Sequence, residues 1–153
     1  MTVIASVAAL VGVLALATVL GVLLRATTGR AKSVPTRATS ETTTTPTADL
    51  APTAAFGTRA TLVQFSTPTC ARCPATRRQL DAVAAAHDGV TRLEFDLVDR
   101  PDLARRFDVM QTPTVLLLDD ERTVRTRFGG PPRPPELAAA LDTLLTAGHQ
   151  ESR

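Results

Sequence analysis

From Val3 to Leu24 the chain carries no charge, and only Ser6, Gly12, Thr18 and Gly21 interrupt a run of Val, Leu, Ile and Ala. A helix of about 22 residues, rising ~1.5 Å each, matches a hydrocarbon layer ~30 Å thick. A core helix would place polar residues along one face, and a secretory signal would carry basic residues ahead of a shorter apolar stretch. Neither pattern is present. The sequence therefore predicts one transmembrane helix at residues 1–25, in contact with lipid through 3–24.

The next stretch, 26–57, begins basic and turns Thr/Pro-rich: Thr42, Thr43, Thr44 and Thr45 run into Pro46, with Pro35 and Pro52 on either side. Such composition reads as a disordered linker, too poor in apolar residues for a convincing extra strand and helix. A folded domain over 58–148 and a disordered tail at 149–153 complete the expected organisation. In the domain, Thr61–Phe65 is a short β-prone run bounded by Ser66, Thr67 and Pro68, a strand entering a turn. Arg77–Ala86 has Leu80, Val83 and Ala84 at helical spacing before the stop signal of Gly89. Thr91–Leu97 alternates as a second strand, and Pro101 opens a short helix over Asp102–Phe107. Thr114–Leu118 has the texture of a central strand buried on both faces. It turns through Asp119, Asp120, Glu121 and Arg122 into Thr123–Phe128, a hairpin closed by Gly129 and Gly130. After Pro131–Pro135, Glu136 starts a helix with Leu137, Leu141, Leu144 and Leu145 on one face. The predicted order is strand, helix, strand, helix, strand, strand, helix, an α/β domain without internal repeat.

Charge changes the picture only at the N-terminal end. Basic residues number 17 and acidic residues 15, but Arg25, Arg30, Lys32 and Arg37 face only Glu41 and Asp49 before position 50. The folded part thus has no basic stripe, and without Trp or Tyr it has few base-stacking platforms, so no nucleic-acid partner is expected. The basic residues after the span, with none before it, place the domain on the cytoplasmic side of a cell membrane. The Thr/Pro stretch, of a kind often glycosylated outside cells, argues for an extracytoplasmic domain. The expectation leans to the cytoplasmic side.

Candidate chemistry centres on Cys70-Ala71-Arg72-Cys73, between the first strand and the first helix. Two thiols at this spacing on the first turn of a helix can close a disulfide locally, and the unpaired helical N–H groups favour a thiolate. Cys70, nearer the turn, should be the exposed nucleophile; Arg72 adds a favourable charge, and Pro74 suits an early helical position. Structural zinc needs about four ligands, and besides acids only His87 and His149 remain. Haem attachment wants a His where Pro74 stands. A purely structural disulfide would close so small a loop that it removes little unfolded-state entropy. No metal and no cofactor are therefore expected. His87 reads as a helix cap, Arg77 and Arg78 as a solvated face near the cysteines, and Asp99, Asp102, Asp119, Asp120 and Glu121 as turn and cap residues.

Leu62–Leu80 around this motif, then Phe107–Val115 with its Thr112-Pro113-Thr114, then Phe128-Gly129, resemble the successive landmarks of the thioredoxin superfamily over Thr61–Leu145. The resemblance implies a thioredoxin-like fold with a mixed central sheet. It also implies that Cys70 attacks, that Cys73 resolves the mixed disulfide, and that the Thr112–Pro113 bond is cis, with its loop beside the sulfurs and its backbone available to a substrate peptide. Departures are visible too. Ala71-Arg72 replaces Gly-Pro, Ser66 and Thr69 replace tryptophans, Arg78 replaces a helix proline, and Gln64 stands where the family has a buried acid that takes the resolving thiol's proton.

Three functions follow. The first is a membrane-bound thiol-disulfide oxidoreductase acting on protein thiols and disulfides, with an upstream reductase or oxidase; its direction depends on reduction potential. The second is a redox-inactive adaptor that keeps the fold as a binding module, a reading that Gln64 and the missing tryptophans support. The third, metal handling, has few further ligands to draw on. Reduction of a model disulfide separates the first from the second.

Overall fold

Along β2 (Ala60–Ser66) every residue is buried, which a strand achieves only with other strands beside it and layers on both faces. The computed structural model describes residues 2–27, 31–33, 47 and 49–151. Before β2 come α1 (Thr2–Thr27), β1 (Ala31–Ser33) and a 3-10 turn at Thr53–Ala55; after it come α2 (Cys73–Ala85), β3 (Val90–Asp96), α3 (Pro101–Arg106), β4 (Thr114–Asp119), β5 (Val124–Gly129) and α4 (Pro134–Glu151). The sheet order is β1-β5-β4-β2-β3. β3 lies parallel to β2, the pairing that a helical crossover through α2 allows, while β4 is antiparallel to both β2 and β5.

Alternation along the strands divides the core in two. Ala60, Leu62, Val115, Leu117 and Phe128 meet Leu80 of α2 and Leu137 and Leu141 of α4 on one face. Val63, Phe65, Leu116 and Leu118 meet Leu103 and Phe107, from α3 and its end, on the other. The Phe65 and Phe107 rings stack at a tilt, 5.3 Å between centroids. β3, at the sheet edge among the described residues, is only partly buried beyond Val90.

The N-terminal segment joins this core earlier than its composition suggests. Leu50 and Phe56 are buried in the second cluster, Asp49 pairs with Arg106, and the Thr47 hydroxyl donates to the Arg122 carbonyl. Two apolar side chains suffice to dock a segment whose average reads as linker. β1, also inside the expected linker, pairs antiparallel with β5, Ala31 opposite Phe128. The run Thr42–Thr45 lies outside the described residues. At the other end α4 continues to Glu151 where a tail was expected from 149, because Gly148 alone costs a helix only about 1 kcal/mol.

Among the described residues no helix is long and apolar enough to cross a membrane. The membrane span expected over Val3–Leu24 is therefore not shown.

Leu80 couples α2 to the sheet and is fully buried. Leu80→Ala should cost about 2–5 kcal/mol, read as a lowered urea midpoint, whereas Leu144→Ala, at a partly buried position, should cost less. Equal losses would contradict this division of the core.

Candidate active site

β2 ends at Ser66, and successive tight turns wind the chain into α2. The Cys70 N–H donates to Thr67 O at 3.1 Å and the Cys73 N–H to Cys70 O at 3.2 Å. Arg72, the residue before the helix, already has helical dihedrals (φ −92°, ψ −17°) and makes no side-chain cap. Instead both the N–H and the hydroxyl of Thr76 donate to the Arg72 carbonyl, each at 3.1 Å. Pro74 occupies the first turn, where its missing N–H loses nothing.

Cys70 and Cys73 are joined in a disulfide, their Cα atoms 5.5 Å apart. The two residues differ in surroundings: Cys73 is 3% exposed, Cys70 is partly exposed, and Ala71 and Arg72 between them are open to solvent. α2 turns Cys73, Thr76 and Leu80 inward, positions on one helical face. Beneath this turn Gln64 is fully buried, and its Nε2 donates to the Cys73 carbonyl at 3.2 Å.

The Thr112–Pro113 bond is cis, and its loop approaches the cysteine turn. The Thr67 and Thr112 hydroxyls are 3.3 Å apart. Three further hydrogen bonds hold the loop: Thr114 Oγ1 to Gln111 O at 2.8 Å, Gly130 N to Pro113 O at 2.9 Å, and Arg127 to Asp108 O at 2.6 Å.

Electrostatics fasten α2 to the neighbouring strand. Arg77 of α2 pairs with Glu94 of β3 at 2.7 Å. Arg92 pairs with the same carboxylate at 3.0 Å and with Asp81 of α2. Partial burial opposes the charge on Glu94, but hydrogen bonds from Arg77 and Ser66 and the charges of Arg77 and Arg92 prevail and hold its carboxyl below the usual range. Arg77 is thus an ion-pair partner, not simply part of a solvated face; Arg78 is exposed. A signal for this network was present: opposite charges at Arg77 and Asp81, four apart on the helix, match Glu94 and Arg92, two apart on the strand. Elsewhere His87 Nδ1 lies 2.8 Å from the Val83 carbonyl at the end of α2. Asp119 receives Thr123 N at 2.7 Å in the β4–β5 turn. Among the described residues, no three His, Cys, Asp or Glu side chains are grouped to hold a metal.

The family model described as Thioredoxin matches residues 49–143. Among solved structures, the chain is similar to thioredoxin-2, a component of malaria parasite protein secretion machinery, at 23% identity and TM-score 0.51, with 56% of this chain and 82% of that one covered. It is also similar to thioredoxin F from spinach chloroplast, at 20% identity and TM-score 0.52, covering 60% and 80%. Fasciola hepatica thioredoxin gives 21% identity and TM-score 0.50, covering 57% and 82%. At these identities the likeness is one of fold. No curated protein matches the chain.

The Glu94 network makes a pH prediction. Its folded carboxyl titrates below its unfolded value, so its contribution is complete above the ordinary carboxylate range, ~4.3, and is lost as pH falls through the lowered folded value. Wild type should exceed Glu94→Gln in stability at neutral pH, and the gap should narrow as the pH drops below about 4. Urea midpoints across this range check it; a constant gap would contradict it.

Proposed function

The chain belongs to the thioredoxin family, and we propose on that premise that it exchanges dithiol for disulfide with protein substrates. The observation carrying this reading is the asymmetry of the Cys70–Cys73 disulfide: Cys70 is partly exposed in the turn before α2, and Cys73, the first residue of the helix, is buried. A substrate can reach Cys70 while Cys73 waits within bonding distance.

In the reducing direction, the Cys70 thiolate attacks a substrate disulfide, forms a mixed disulfide and releases one substrate thiolate. Cys73 loses its proton and attacks Cys70 Sγ, closing the Cys70–Cys73 bond and releasing the second thiolate. The substrate gains two electrons and two protons, and an upstream dithiol reductase restores the pair; run backwards with an oxidase, the same steps insert disulfides. Arg72 favours the attacking thiolate. The cis Thr112–Pro113 loop lies against the cysteine turn through Thr67, and we assign it to holding substrate backbone beside the sulfurs.

We further propose that residues 3–24 anchor the domain in a cell membrane, with the domain on the cytoplasmic side. This rests on the uncharged run and on the open surroundings of its described side chains, such as Leu14 and Leu16, 59% and 71% exposed. Thr18, a polar residue within it, donates to its own Leu14 carbonyl at 2.8 Å, so its hydroxyl needs no water. Pairing of Ala31 with Phe128 brings the chain from α1 onto the sheet at the end where β2 runs into the disulfide, since Phe128 faces Val115 and Val115 faces Gln64. An anchored α1 would therefore hold the cysteines near the bilayer surface.

Cys70→Ser should abolish exchange, whereas Cys73→Ser should accumulate as a mixed disulfide with substrate, resolved by non-reducing electrophoresis. Wild-type turnover by the Cys70→Ser protein would refute these roles. For topology, a membrane-impermeant thiol reagent should spare Cys70 in intact cells and label it after permeabilisation. Labelling of intact cells would place the domain outside.

A further inference from the structure

Gln64 touches the buried cysteine with only half of its amide. It is fully buried, the fifth residue of β2. Its Nε2 is committed to the Cys73 carbonyl at 3.2 Å, while its Oε1 accepts no hydrogen bond from any described residue. A buried acceptor left without a donor costs about 1–3 kcal/mol, so an unused oxygen beside a reactive turn calls for an occupant. The surroundings offer few. Val115, opposite Gln64 on β4, has no polar side chain. Glu94, opposite it on β3, is a carboxylate that accepts and does not donate, and it is held by Arg77 and Arg92. The Thr76 hydroxyl of the same helical turn is spent on the Arg72 carbonyl. Cys73 in the disulfide has no S–H. Reduction creates one, on the buried sulfur of the very residue that Gln64 already holds.

We propose that Gln64 is a positioning residue whose unused amide oxygen receives the S–H of Cys73 in the reduced chain, favouring dithiol over disulfide. This rests on the exchange reading above and adds two consequences to it. The first is thermodynamic. The orphaned oxygen burdens the oxidised form and is satisfied in the reduced one, so Gln64 shifts the equilibrium toward reduction. The second is kinetic. An amide takes no proton, so when Cys73 attacks Cys70 Sγ and the Cys70–substrate S–S bond breaks, the Cys73 proton must go to solvent while the departing substrate thiolate collects another. Resolution should then accelerate with rising pH across the neutral range.

The test uses the full chain with Gln64→Met, which keeps length and removes the acceptor, and Gln64→Glu, which keeps the acceptor and can take a proton. Equilibration with glutathione should show Gln64→Met about tenfold more inclined to the disulfide than wild type, ~30 mV lower in reduction potential. With a chromogenic thiol loaded on Cys70, its release by Cys73 should rise with pH in wild type and flatten in Gln64→Glu. A merely structural role would weaken oxidised and reduced forms alike and leave the glutathione equilibrium in place. An equilibrium for Gln64→Met within twofold of wild type, or a Gln64→Glu pH profile that follows wild type, overturns the inference. If Gln64→Met does not fold, Gln64→Leu, which also lacks the acceptor, is read in the same glutathione equilibrium and decides by the same twofold limit. A wild-type chain that never equilibrates with glutathione instead overturns the exchange reading itself.

Discussion

The site depends on the seam between β2 and α2, where a helix must start against the sheet with a cysteine facing inward. Leu80 docks the helix body into the core, Gln64 ties the Cys73 carbonyl to the strand, and Arg77 fastens the outer face to Glu94. With these three contacts Cys73 is buried and Cys70, one turn earlier, is left at the rim. The inequality is a product of packing.

The sheet brings the second half of the site to the same place. β4 begins at Thr114, opposite Phe65 of β2 and Gly129 of β5. The residue before it, Pro113, is therefore delivered to the end where β2 releases the chain toward Cys70. Hydrogen bonds from Thr114, Gly130 and Arg127 secure this loop, so its position beside Thr67 follows from the β4–β5 pairing. Arg127, which contributes nothing reactive, thus belongs to the support of the site.

Much of this was legible in the residues. Seven elements from Thr61 onward could be placed by apolar runs, alternation and helical spacing: β4 by a run buried on both faces, α4 by Leu137 and Leu141 against the first core. Cys70 and Cys73 stood out by spacing, and Thr112-Pro113 by its place before the central strand. The start of α2 was marked by Pro74 at its early helical position, although the apolar periodicity of the helix begins only at Leu80. Leu50 and Phe56 were hidden in a polar average, and α4 outran a glycine that propensity alone treats as a stop. Gln64 was visible only as a departure from the family's acid. Its grip on the Cys73 carbonyl and its unused oxygen needed coordinates, because sequence gives no sign of which amide atom finds a partner.

Exchange requires that this disulfide turn over rather than merely close a helix end. The most direct measurement is dithiothreitol-driven reduction of a protein disulfide, such as insulin, with and without the full chain. A disulfide that turns over gives a rate above the uncatalysed background that rises in proportion to the chain's concentration. A rate no different from background, with the Cys70–Cys73 pair reduced and the domain folded, would contradict it and leave a thioredoxin fold that only binds.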